Sequence, residues 1–339
     1  MISIGVVGGS GFAGSEVLRL VASHPGFEVA FATGDSQAGT AIGDLFPSLA
    51  AAYQGQDFVK FDASMLDDVD VAVLALPHGA SQSLMDEVTG RVKWVVDLAA
   101  DFRMADPSLY DTWYGAAHER PDLLPTFTYG LPELYRSDIS TATRVAAPGC
   151  YPTAVILAVA PLVLAGVIDP TRVIADAASG ASGAGRPPKP NTSFCTVDED
   201  FTAYGLLNHR HTPEMELHTG ANVLFTPHLA PMNRGILATC YGVAQDRVSS
   251  TDDVLSVFER AYANEPFVVV SERSPSTKAT LGSNCAHVSA RYDERTNSVI
   301  SLCAIDNLVK GTAGQALQCL NLMTGLDETL GLPVVGMTP

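Results

Sequence analysis

The chain has 339 residues, enough for two domains, and 47% hydrophobic against 17% charged residues, the balance of a globular protein with real cores. Lys and Arg number 20 and Asp and Glu 37, a net charge of −17; this argues against sequence-independent nucleic-acid binding, which needs clustered cations. An anionic substrate would have to be met by local Arg, Lys or helix ends. The longest apolar run, 154–168, contains Pro161 and Gly166 and is too short to span a membrane.

The N-terminus, Met1-Ile2-Ser3-Ile4-Gly5-Val6-Val7-Gly8, lacks a basic region and reads as a strand rather than a signal peptide. Gly9-Ser10-Gly11-Phe12-Ala13-Gly14 follows, then the helical pattern Val17, Leu18, Leu20, Val21. Strand, G-x-G-x-x-G and helix together form a dinucleotide fingerprint, with glycines for the tight turn and a pyrophosphate on the helix N-terminus. Gly8, Gly11 and Gly14 equally spell G-x-x-G-x-x-G, and the sequence leaves the register open. Phe27 to Thr33 reads as a second strand. Asp35, next to Ser36 and about twenty residues past the glycines, stands where an acid would bond a ribose 2′-OH and favour NAD; it equally reads as a turn residue.

Two further buried strands, 70–76 and 93–98, end in Pro77-His78 and Asp101-Phe102-Arg103. Ligands of open α/β sheets bind outside the carboxyl ends of strands, so Arg103 is a candidate phosphate fork. His78 reads as a loop residue near the cofactor rather than an acid or base. A last strand, 144–147, leads into Gly149-Cys150-Tyr151-Pro152 and a long apolar helix. Pro is tolerated in a first helical turn, so Cys150 falls beside a helix N-terminus. The dipole and open N–H groups there favour a thiolate, and Cys150 reads as a nucleophile.

The pattern then changes. After a strand at 173–178, the small residues Gly180 to Gly185 build a backbone that a ligand can approach, and Arg186 adds a cation; a flexible loop into Pro187-Pro188 is the alternative. Asn208-His209-Arg210-His211-Thr212-Pro213-Glu214 opens a helix, with Thr212 as N-cap and Pro213 at N1. No third ligand has metal spacing, so one of His209 and His211 reads as the acid/base for Cys150. Strands near 222–226, 235–244, 267–270, 285–292 and 299–305 give an antiparallel-looking sheet, and a final helix opens at Asp306-Asn307. The fold class is thus α/β: a Rossmann-type dinucleotide-binding domain over 1–148, completed by a C-terminal helix 308–326, plus an α+β catalytic and oligomerisation domain over 149–306 with a mixed or antiparallel sheet. Six widely spaced cysteines with no CxxC favour a reducing cytoplasm.

Taken together, Leu76-Pro77-His78-Gly79, Asp101-Phe102-Arg103, Tyr129-Gly130-Leu131-Pro132, Pro148-Gly149-Cys150-Tyr151-Pro152-Thr153, Ser182-Gly183-Ala184-Gly185-Arg186, His209-Arg210-His211-Thr212-Pro213-Glu214 and Lys310-Gly311-Thr312-Ala313-Gly314-Gln315-Ala316 resemble the N-acetyl-gamma-glutamyl-phosphate reductase family, across almost the whole chain. The resemblance implies a semialdehyde-dehydrogenase architecture, a homodimer or homotetramer, and NADPH-dependent reduction of an acyl phosphate through a thioester on Cys150. It puts the acid/base on the His209/His211 pair, with His211 favoured because it abuts the helix start. The expected cofactor contacts are the loop 8–14, Thr33, Asp35, Ser36, Pro77, His78, Ser182, Gly183 and Asn307. The expected substrate contacts are Arg103, Arg186, Arg210 and Glu214. NADP(H) is the expected cofactor despite Asp35, since Ser10, Thr33 and Ser36 offer neutral donors. The rival substrates are N-acetyl-aminoadipyl and aspartyl phosphates, and the rival class is a non-catalytic dinucleotide-binding regulator.

Overall fold

The computed structural model describes residues 1–337, and the chain divides into two compact units. The first comprises Met1–Asp111, Ala116–Pro148 and Thr312–Leu332. Its strands are β1 (Ile2–Val7), β2 (Phe27–Ala32), β3 (Val71–Leu74), β4 (Trp94–Asp97), β5 (Thr128–Tyr129) and β6 (Arg144–Ala146). All pairs are parallel, in the order β2-β1-β3-β4-β6-β5. Ile4, Val6, Val71, Val73 and Val96 are fully buried, as expected where helices cover both faces of a parallel sheet. The chain leaves β1 for β2 on one side and returns to β3 on the other. The carboxyl end of β1 is therefore the topological switch point, and the glycine loop begins there.

The C-terminal helix Gly314–Thr324 belongs to this unit. Gln315 Nε2 donates to the carbonyl of Gly130, and His24 Nε2 lies 3.1 Å from Asn321 Oδ1. The sequence pattern put the start of this helix at Asp306. Instead, Asp306 is buried and its Oδ1 accepts the amides of Leu308 and Val309, and the chain makes one π turn over Val309–Ala313 before the helix proper. The second unit consequently runs on to Gly311, past the expected limit of 306, and also takes Thr112–Gly115 and the tail from Pro333.

The second unit is a seven-stranded mixed sheet of β7 (Ile168–Ser179), β8 (Thr202–Ala203), β9 (Val223–Leu229), β10 (Ile236–Ala244), β11 (Val268–Val270), β12 (Ala286–Asp293) and β13 (Ser298–Ile305). The order is β11-β12-β13-β10-β7-β9-β8; β11/β12 and β7/β9 are parallel and the rest antiparallel. The helix Cys150–Leu164 lies against β10 and β13, and the helix Thr251–Ala261 against β12. The Cys150 helix is apolar on every side and buried from Tyr151 to Leu162, as such a helix must be. Pro161 within it has no N–H for the carbonyl of Leu157, and the Tyr262 hydroxyl donates to that oxygen at 2.6 Å instead. The helix that carries Cys150 is thereby held rigid in the core despite an internal proline.

Candidate active site

In the first unit, Gly8 turns the chain at φ +91°, and a Cβ there would stand 2.4 Å from the Ala75 carbonyl oxygen. A Cβ on Gly14 would lie 2.4 Å from the Gly8 oxygen, so the helix Phe12–Val21 can approach the loop only with glycine at that point. Gly11 is different. It sits at the N-cap with ordinary angles, φ −85° and ψ 169°, and a Cβ would meet nothing closer than 3.7 Å. Neither backbone nor packing demands glycine at 11; the space a side chain would fill lies outside the protein, at a helix N-terminus. That is the cradle a pyrophosphate needs, and the residues fit a dinucleotide. Gly9, Ser10, Phe12 and Ala13 complete the same loop and first turn. Thr33 Oγ1 accepts the Gly8 amide at 3.0 Å, fixing the end of β2 to the loop, and Asp35 and Ser36 follow in the open.

Pro77 and His78 stand just past β3, with His78 Nδ1 2.5 Å from Asp101 Oδ1. Asp101 also accepts the amides of Gly79, Ser81 and Gln82 at the start of the helix Ala80–Val88. Burial alone would raise its pKa; the His78 bond and those amides outweigh burial and leave it lowered. Arg103 is buried, with Nε donating to the carbonyl of Ala147 and Nη2 to that of Leu98, so its guanidinium ties the ends of two strand exits together.

In the second unit a cavity of about 490 Å³ is lined by Cys150, Tyr151, Tyr204, His209, Arg210 and His211 among others. Cys150 is the first residue of its helix and partly exposed, with Gly149 as an extended N-cap. Amides in a first helical turn have no intrahelical acceptor, so they and the dipole turn a partial positive charge toward the Cys150 side of the cavity. Gly311 passes directly behind: a Cβ on it would lie 2.8 Å from the Cys150 Cβ. His211 is the N-cap of the helix Thr212–Thr219, one position earlier than the sequence pattern placed the cap. His209 packs edge-on against Tyr151, Tyr204, Phe225 and His211, with ring centroids 4.9–5.7 Å apart. Burial, with Arg210 beside it, pushes its pKa down to about 4, so His209 is neutral at neutral pH. The Tyr204 hydroxyl donates to the Tyr151 hydroxyl at 3.0 Å, which lies 3.2 Å from the His228 carbonyl oxygen.

Glu214 is buried, and its Oε1 accepts the Gly149 amide at 2.8 Å, joining the first turn of the His211 helix to the turn that carries Cys150. Ser182 and Asn307 bond each other, and Asn307 Oδ1 takes the Gly235 amide, so this pair locks two loops of the second unit. Gly183 lines the cavity, as does Arg210, whose guanidinium lies 5.9 Å from the Tyr114 ring centroid. Arg186 is partly exposed in the same small-residue loop. The tyrosine pair and Gly311 were not singled out from sequence, although Tyr151 directly follows Cys150 and Gly311 sits in the Lys310-Gly311-Thr312 run.

Two family profiles cover these units: "Semialdehyde dehydrogenase, NAD binding domain" matches residues 3–142 and "Semialdehyde dehydrogenase, dimerisation domain" matches 150–307. The chain is 44% identical over 347 residues to N-acetyl-gamma-glutamyl-phosphate reductase of Pseudomonas entomophila, and 43% identical over 350 residues to that of Cellvibrio japonicus, with all of each chain covered. The chain belongs to the N-acetyl-gamma-glutamyl-phosphate reductase family. The likeness of fold extends beyond this reductase family. An aspartate semialdehyde dehydrogenase of Candida albicans solved with NADP matches at TM-score 0.72 and 14% identity, covering 96% of this chain and 98% of the other. One from Vibrio cholerae matches at 0.70 and 16%, with the same shares covered. A nicotinamide dinucleotide as cofactor and an oxidoreductase activity follow from membership of the reductase family.

Proposed function

We propose that the chain reduces N-acetyl-gamma-glutamyl phosphate to N-acetylglutamate 5-semialdehyde and phosphate, using NADPH. The observation that carries this reading is a cysteine at the first position of a buried helix, in a cavity that also takes His211 and Arg210. Cys150 thiolate attacks the acyl carbon, and the amides of the first helical turn receive the oxyanion. The bond to the phosphate oxygen breaks, phosphate leaves with the electron pair, and a thioester remains on Cys150. The dinucleotide, when bound, supplies the hydride that reduces this thioester. The resulting hemithioacetal collapses, its C–S bond breaking toward sulfur, and His211 gives the departing sulfur a proton. His211 has this role because His209 is held neutral by burial and is a poor acid. Arg210 meets the substrate's negative charge, with Arg186 in support, in a chain whose net charge would otherwise repel it.

The cofactor we assign is NADP(H). Asp35 is exposed, so its carboxylate stays hydrated and turned to water while a 2′-phosphate is met by Ser10, Ser36 and the loop amides. The Candida albicans relative was solved with NADP, which supports this choice. The decisive assay runs the reaction in reverse: phosphate-dependent reduction of NADP by N-acetylglutamate 5-semialdehyde. The expected result is a higher kcat/KM for NADP than for NAD, rising about two- to fivefold further in Asp35→Asn as a screened surface charge is removed. A preference for NAD would overturn the cofactor assignment, and faster turnover of the aminoadipyl or aspartyl semialdehyde would overturn the substrate.

We assign the oligomer as a homodimer through the sheet face opposite the helices of the second unit. Across that face one row reads Leu224, Ile174, Tyr241, Ile300 and Arg291, and Leu224, Tyr241 and Val243 are exposed. Apolar residues on a solvent-facing sheet mark an interface. Sedimentation should give twice the chain mass for the protein and the single mass for Tyr241→Glu. Among the described residues no helix is long and apolar enough to cross a membrane, and none of the six cysteines is in a disulfide, which supports a reducing, cytoplasmic setting.

A further inference from the structure

We propose that His209 is a positioning residue: its imidazole is a fixed hydrogen-bond acceptor that sets the start of the His211 helix and so aims His211 into the cavity. The inference rests on the reading of His211 as the acid/base and adds how that side chain is held.

The His211 amide donates to His209 Nδ1 at 3.2 Å, and the Thr212 amide donates to the His209 carbonyl oxygen at 3.0 Å. Both bonds close the turn immediately before the helix. The same turn hands over to the helix through the Met215 amide, which bonds the His211 carbonyl oxygen at 3.1 Å. A ring nitrogen that accepts cannot carry a proton, so the tautomer is fixed with hydrogen on Nε2. His211 has no side-chain cap of its own. An N-cap residue normally spends its side chain on the amides of the first turn; here the His209 ring, two positions earlier, takes the amide of the N-cap residue itself.

The cage of Tyr151, Tyr204 and Phe225 prevents the acceptor from rotating away, and it does so from three elements: the Cys150 helix, the loop after β8, and β9. Gly205 leaves room for the ring, since a Cβ there would lie 3.3 Å from His209 Cδ2. Tyr151 is also the residue after Cys150, so one ring registers against the nucleophile's helix and the acid's turn together. The titratable groups around it are Tyr151, Tyr204, His211, Arg210 and Cys150. Burial holds both phenols up, Tyr204 at about 12, so neither changes charge near neutral pH.

His209→Asn and His209→Leu separate the possibilities. Asn places Oδ1 close to where Nδ1 stands, whereas Leu fills similar volume with no acceptor. The expected result is kcat within about threefold of the parent for Asn and about tenfold to a hundredfold lower for Leu, the loss of one positioning hydrogen bond, with KM nearly unchanged in both. The pH profile of Cys150 alkylation by iodoacetamide, measured without substrate, should be the same in the parent and Asn proteins and displaced in Leu. Equal losses of about 10² or more in both variants would make His209 itself the proton carrier; parental rates and profiles in both would reduce it to filler. Either result overturns the proposal. Because alkylation needs no substrate, it decides the question even if N-acetylglutamate 5-semialdehyde proves not to be turned over by the parent.

Discussion

Cys150→Ser lowers turnover by at least about 10³-fold while leaving the fold and dinucleotide binding intact. The size follows from chemistry. A serine hydroxyl in place of the thiol is almost wholly protonated at neutral pH, and nothing adjacent is a strong enough base to ionise it in time. The intact fold follows from the site. Cys150 is at the first turn of its helix and partly exposed, and sulfur to oxygen changes little volume where Gly311 crowds the Cβ rather than the Sγ. The Ser variant should melt within about 2–4 °C of the parent, because substitutions that leave core packing alone are worth about 0.5 kcal/mol or less. Turnover near the parent's would place the nucleophile elsewhere. Alkylation supplies a control within the parent protein: Cys150 should react before Cys240, Cys303 and Cys319, which are buried in strand and helix cores, and burial pushes the Cys240 thiol up to about 12.

His211→Asn lowers kcat by roughly 10²–10⁴, the usual range for a lost general acid, with little change in KM. His211 makes no side-chain cap that could be lost, and Asn is well accepted at an N-cap, so the loss reports proton transfer rather than unfolding of the turn. The second step should suffer most, since the sulfur leaving the hemithioacetal then departs without a proton. If acylation slows and hydride transfer does not, His211 acts as the base that prepares Cys150 instead. A His209→Asn loss larger than that of His211→Asn would exchange the two roles.

Much of this arrangement was legible in the sequence, because the chemistry sits on short local signals. Gly149-Cys150-Tyr151-Pro152 fixes a thiol at a helix start whatever the tertiary context, and Gly9 to Gly14 between a strand and a helix fixes a phosphate cradle. The strands of the first unit announce themselves as continuous apolar runs. What could not be read depends on long-range contacts. The bonds of Arg103 to the carbonyl of Ala147, and of Glu214 to the amide of Gly149, join residues far apart in the chain and carry no local signal. His211 stood out in the sequence only by its place at the helix start; the caging of His209 by Tyr151, Tyr204 and Phe225 needs the fold. The late start of the last helix has the same origin, a buried Asp306 whose carboxylate takes the amides that a regular helix would have used.

The covalent step is the centre of the account, and it is separable from the hydride step. Mixed with N-acetyl-gamma-glutamyl phosphate in the absence of any dinucleotide, the protein should release about one equivalent of phosphate per active chain in a rapid burst and stop. Mass spectrometry should then find an N-acetylglutamyl group on the peptide carrying Cys150, and the Cys150→Ser protein should show neither burst nor adduct. A protein that releases no phosphate until dinucleotide is added, or that carries the acyl group on another residue, would contradict the thioester route through Cys150.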